Sequence, residues 1–127
     1  MGSVACFFVY VDYTASFHLF TPAANMSHMG DKLYEGMKEL VKKYGKPWKV
    51  NHIGSLGCIY FTDQDVENYE DAKTSDTEEF ARYFRYMLEH GVHLGPSQFE
   101  AMFLSNAHTE ETTKETLDIF EGFLKAE

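Results

Sequence analysis

The stretch with the most chemical character is GPSQFEAMFLSNAHTEE, residues 95–111. From Phe99 to Leu104 every residue is apolar except Glu100. If this run is a strand, alternation puts Phe99, Ala101 and Phe103 on one face and Glu100, Met102 and Leu104 on the other. A carboxylate buried there unpaired would cost several kcal/mol or have its pKa driven up, so it needs a partner or a polar cavity. Two readings stand. Glu100 lies at the strand's edge and reaches water or an arginine, or it lines a pocket that receives an amine or another polar ligand. In the second reading Ser97 and Gln98, following Gly95-Pro96, give a tight approach and hydrogen-bonding groups beside it.

The other reactive residue types are less organised. Cys6 and Cys58 are too few and too far apart for a disulfide framework or a zinc knuckle, and they read as small core residues of a reducing compartment. The histidines (18, 28, 52, 90, 93 and 108) include no pair at the i, i+4 spacing of a zinc helix. The net charge of −9 leaves no basic footprint for nucleic acid or an anionic membrane. Most of that excess lies in Asp63–Glu79, where Asp63, Asp65, Glu67, Glu70, Asp71, Asp76, Glu78 and Glu79 face only Lys73. The run lacks the glycine and terminal glutamate of a calcium loop, and it reads as a solvated loop and helix start. No metal site is expected. No glycine-rich phosphate loop and no nucleophile elbow appears.

The elements that must hold Glu100 follow from periodicity. Val4–Val11 is an apolar run of strand length, too short to span a membrane, within a first segment, 1–28, read as a strand or hairpin. No lysine or arginine precedes Lys32, which disfavours a secretory leader. MSHMG at 26–30 resembles a cloning junction, making residues 1–28 a candidate for foreign sequence. From Asp31, Leu33, Met37, Leu40, Val41 and Tyr44 share one helical face, and Gly45 and Pro47 end the helix. Trp48–His52 and Ser55–Thr62 read as two strands joined at Gly54, with both faces of the second apolar and in need of cover. Ser75-Asp76-Thr77-Glu78 has the form of a capping box ahead of a helix striped by Phe80, Tyr83, Phe84, Met87 and Leu88. Val92–Leu94 and Phe99–Leu104 are short strands. Thr109 caps a last helix whose Leu117, Phe120, Phe123 and Leu124 face inward. The expected fold is α+β, a small antiparallel or mixed sheet of about four strands packed with three helices.

Residues 50–111 also resemble the C-terminal domain of the glutamate-1-semialdehyde 2,1-aminomutase family. The matching strings are VNHIGS with its FTD exit, NYEDAKTSD, YMLEHGV and above all PSQFEAMFLSNAHTEE. The resemblance runs from about Asp31 to Phe123, and the whole of 29–127 is assigned to that domain. It implies the small C-terminal domain of a fold type I, class III aminotransferase, in a family that is pyridoxal-phosphate dependent, dimeric and supplies 5-aminolevulinate for tetrapyrrole synthesis. Glu100 matches the glutamate that reaches the family's active site. Related aminotransferases carry an arginine in the comparable region, which binds a substrate carboxylate. A glutamate repels that group and favours ammonium-bearing intermediates. Glu100, Ser97 and Gln98 are therefore the expected substrate-side residues.

The same resemblance places the family's Schiff-base lysine, the acidic partner of the pyridine nitrogen and the phosphate-binding residues upstream of the matching region. Residues 1–30 contain no lysine, and the first group of lysines belongs to a helix surface or its exit. The expectation is a domain with no catalytic residue of its own, binding no pyridoxal phosphate and inactive alone. Its uncovered apolar face would associate with another copy, and the compartment would be the cytoplasm, or a plastid as elsewhere in the family. Two rivals remain: a binding or dimerisation module derived from the same layer, and an autonomous enzyme using Glu100 with His93 or His108.

Overall fold

The computed structural model describes Ala5–Cys6 and residues 21–127. The elements run β1 (Ala5–Cys6), α1 (Thr21–Lys43), β2 (Lys49–Ile53), β3 (Leu56–Tyr60), α2 (Tyr69–Ala72), α3 (Thr77–Glu89), β4 (Val92–His93), β5 (Met102–Phe103) and α4 (Glu110–Ala126). The class is the α+β expected. Among the described residues the sheet has three antiparallel strands in the order β2-β3-β5, and β4 pairs instead with β1, in parallel. The remainder of Val4–Val11 lies outside the described residues.

The first long helix begins ten residues before Asp31, and so crosses the 28/29 boundary without a break. Met29 explains the longer run. It is buried one turn before Leu33 and extends the stripe of Leu33, Met37 and Val41. The helix ends as its glycine requires. Gly45 has φ of 66°, its N–H donates to the Lys42 carbonyl, and the Lys46 N–H donates to the Val41 carbonyl, closing a Schellman motif.

The helix meets the hairpin backbone to backbone. A Cβ at Gly30 would come well under 3 Å from the Gly54 carbonyl group, so only glycine allows this approach. Four residues on, the buried Tyr34 ring lies over Gly57 in the same way, and its hydroxyl is within 3.1 Å of both the Ser55 and Met102 carbonyl oxygens. One side chain thus ties α1 to the β2–β3 turn and to β5.

The other helices close the core. Tyr34, Tyr83, Phe120 and Phe123 are its largest fully buried side chains. Tyr83 meets Phe120 and Phe123 edge to face at 6.0 and 5.6 Å between centroids. The cap of α3 is Asp76 rather than Ser75. The Asp76 carboxylate accepts the N–H groups of Glu78 and Glu79, while its own N–H is used by the Phe61 carbonyl at 2.9 Å. That last bond anchors the helix start to the end of β3. Leu88 is exposed at 38 %, and Glu79 is buried in the first turn beside Arg82. Thr109 caps α4 as expected, in a reciprocal pair with Thr112.

Candidate functional site

Glu100 is not in a strand. β5 is only Met102–Phe103, and residues 96–100 form a bend leading into it. The alternation holds where pairing holds, with Met102 and Leu104 buried and Phe103 exposed, and it fails before Ala101. The reason is hydrogen bonding. The Glu100 N–H donates to the Ser97 carbonyl at 3.1 Å, closing a local turn, so neither residue is free to continue the ladder. Glu100 itself is exposed.

The bend is nonetheless fixed from below. Gln98 is 3 % exposed, and its Nε2 donates to the Ile59 carbonyl at 2.7 Å, clamping the turn onto β3. Its Oε1 is buried with no hydrogen-bond partner. The Cys58 thiol lies beneath the bend, 3.6 Å from the Gln98 carbonyl and 3.7 Å from that of Glu100. Burial raises this thiol from about 9 to about 11, which outweighs the hydrogen bonds from Tyr60 and Gln98, so it stays a neutral donor at physiological pH. Ser97 Oγ accepts the Phe99 N–H at 3.2 Å. Of the three expected substrate-side residues, Glu100 presents its carboxylate outward, while Ser97 and Gln98 bond within the bend and to its floor.

Gly95, expected with Pro96 to give a tight approach beside Glu100, makes room for the side chain itself. The Glu100 side chain folds across it, and a Cβ there would clash with the carboxylate. The carboxylate therefore stands at the mouth of a narrow crevice of about 10 Å³, floored by Ile59, Phe80, Tyr83 and Met102. That is room for about one water molecule. The signal in the sequence is the glycine before proline, five residues ahead of the glutamate. On the other side of the bend Phe99 is 46 % exposed and its ring meets Tyr69, 63 % exposed, at 5.5 Å.

His93 is exposed on β4, and His108 is buried with Nδ1 accepting the Ser105 N–H at 2.9 Å. Among the described residues no three His, Cys, Asp or Glu side chains converge as a metal site, and no helix is long and apolar enough to cross a membrane. All nine lysines fall within the described residues and none is buried. A Schiff-base lysine needs a desolvated pocket that lowers its pKa, and at Lys43 the shift is upward because of its hydrogen bond to Glu121. The residues present do not fit a covalently held aldehyde cofactor.

An α+β layer of this order is that of the fold type I, class III pyridoxal-phosphate aminotransferases. Superposition on a glutamate-1-semialdehyde aminomutase from Pseudomonas aeruginosa PAO1 gives a TM-score of 0.76 at 19% identity, covering 87% of this chain and 24% of that one. A transaminase with PLP bound matches with a TM-score of 0.68 at 25% identity, over 89% of this chain and 26% of its own. No family profile matches the chain. Glutamate-1-semialdehyde 2,1-aminomutase 2 of Lachnoclostridium phytofermentans is 49% identical over 100 residues, which are 79% of this chain and 24% of that protein. The chain belongs to the glutamate-1-semialdehyde 2,1-aminomutase family, and it spans about a quarter of the length of the curated relatives it matches.

Proposed function

We propose that this chain is the substrate-side domain of a glutamate-1-semialdehyde 2,1-aminomutase, and that Glu100 is its contribution to the site. The observation that carries the reading is the Glu100 carboxylate itself, exposed on a bend whose floor is fixed by Gln98 and Cys58 and whose side is opened by Gly95. A carboxylate so held binds an ammonium by a charge-assisted hydrogen bond and repels a substrate carboxylate, the preference an intramolecular amine transfer needs. Ser97 and Gln98 act in this reading by shaping the bend. Pyridoxal phosphate would supply the electron sink for the amine transfer. The lysine that carries it belongs to another part of the family protein, and the 127 residues alone turn over no substrate.

The test is reconstitution. The chain is mixed with the remaining three quarters of a family member, and 5-aminolevulinate formation is followed. Rescue that Glu100→Gln abolishes supports the assignment. Rescue that Glu100→Gln leaves unchanged removes Glu100 from the chemistry.

A second reading is favoured by the uncovered apolar residues Ile53 (78 % exposed), Tyr69 and Phe99. Under it the domain serves as a dimerisation module, its apolar face meeting a second copy. Sedimentation of the chain alone decides it, a monomer at all concentrations defeating it.

A further inference from the structure

A hollow of about 290 Å³ shares no lining residue with the Glu100 crevice and has no role in the reading above. Its walls include Asn51 and Tyr60 from the hairpin, Glu67, Asn68 and Tyr69 from the segment entering α2, and Phe99 from the bend. We propose that this hollow binds a small organic ammonium, an amine whose cation lies against the Tyr69 and Phe99 rings. The proposal stands independently of the role given to Glu100.

Three features of the walls point to a cation. First, two large rings are held exposed and in contact with each other at 5.5 Å, where burial would have been the cheaper arrangement for both. Aromatic faces left in water beside acidic groups are a recognition surface for ammonium. Tyr69 already has the Lys73 ammonium 5.4 Å from its ring centre. Second, the charge in the wall is negative. Glu67 lines the hollow, and its carboxylate has no hydrogen bond or ion pair in the structure, whereas the neighbouring cations are spoken for, Lys49 by Asp65 and Lys73 by Glu70. Third, Asn51 spends its Nδ2 on the Val66 carbonyl at 2.8 Å, leaving Oδ1 as its free acceptor. Asn68 is the exception, since its Oδ1 receives the Asp71 N–H and its amide nitrogen stays free.

The walls are pre-formed. The Asn51 bond fixes the 66–69 segment to β2, and the Asn68 cap fixes the start of α2, so little ordering accompanies binding. A hollow of this volume lies at the lower edge of ligand pockets, which run from about 300 Å³ upward, and so suits a molecule of benzylammonium size.

The experiment titrates the 127-residue chain with benzylammonium and, separately, with the near-isosteric neutral benzyl alcohol, following backbone amide NMR shifts. The expected result is saturable movement at Asn51, Glu67, Asn68, Tyr69 and Phe99 with the cation, and binding at least about fivefold weaker for the alcohol. Phe99→Ala and Glu67→Gln, both at exposed positions, should each weaken the cation by about threefold to fivefold with an unchanged unfolding midpoint. Glu100→Gln should leave it unchanged. Absence of saturation, equal binding of the alcohol, or indifference to both variants overturns the proposal. Loss of binding in Glu100→Gln alone would assign the amine to the Glu100 crevice instead and equally overturns it.

Discussion

The contact of α1 with the β2–β3 hairpin and the bend at residues 95–100 use glycine for opposite ends. In the first, Gly30 and Gly57 let backbone and a tyrosine ring approach so closely that any side chain is excluded by rigid groups. In the second, Gly95 clears space for the tip of a glutamate, a group that can swing away. The first contact is buried at Gly30, Tyr34 and Gly57 and is crossed by the Tyr34 hydroxyl. The second hangs from β3 by the Gln98 amide and a thiol, and it ends in an exposed carboxylate with aromatic rings alongside. Fixed packing and the exposed candidate carboxylate are thus separated within one small domain.

The sharpest way to break this contrast is Gly30→Val. Its branched side chain has to displace the Gly54 backbone, and we expect a loss of about 3 kcal/mol or more, read as a fall in the urea midpoint or failure to fold. A midpoint near that of the parent would show that the helix can lift from the turn without cost. Next comes pH, acting where the two regions share Cys58. Burial sets its folded pKa at about 11 against about 9 when exposed. The stability contributed by the neutral thiol is complete below pH 9 and is lost as pH rises through 11, about 2–3 kcal/mol in all. Cys58→Ala should flatten that part of the stability profile, and an identical profile in the variant would remove the thiol as its source.

Tyr34→Phe tests the closed contact more gently. It keeps the ring over Gly57 and removes the donor to the Ser55 and Met102 carbonyls, for a loss of about 1–2 kcal/mol by denaturant titration. Less than about 0.5 kcal/mol would mean the ring alone fastens α1 to the sheet. The smallest effect is expected at the bend. Glu100→Gln and Gly95→Ala should each shift stability by no more than about 0.5 kcal/mol, since one is exposed and the other meets first a flexible carboxylate, with the Glu100 Cβ next at 3.1 Å. A loss above about 1 kcal/mol in Glu100→Gln would make that carboxylate part of the fold and erase the distinction drawn between the regions.

Much of this was legible in the chain. The stripe of Leu33, Met37 and Val41, the stop at Gly45, the two strands around Gly54 and the cap at Thr109 all stand where periodicity and capping chemistry put them, because each depends on neighbours within a turn or a hairpin. The motif around Glu100 marked that residue both by its oddness and by its match to the family's string. Where reading failed, a distant partner decided. Ser75 and Asp76 are equally good caps in isolation, and the Phe61 carbonyl selected between them by taking the Asp76 N–H. The expected short strand Val92–Leu94 forms over Val92–His93 and pairs with Ala5–Cys6 rather than in the three-stranded sheet, which no local signal specifies.

Sequence by itself determined the class of fold, the helix stop at Gly45 and cap at Thr109, the family and the single acid worth asking about, since these are local propensities or strings of residues. Only the tertiary structure decided that Glu100 lies on a bend rather than in a strand, that Gln98 and Cys58 hold that bend, that Gly95 makes room for the carboxylate, and that Tyr69 and Phe99 stand together 30 residues apart. Apart from the short-range meeting of Gly95 and Glu100, each of those facts is a contact between segments far apart in the chain or a competition between a local turn and a ladder, and such contests are settled by packing, which has no period to read.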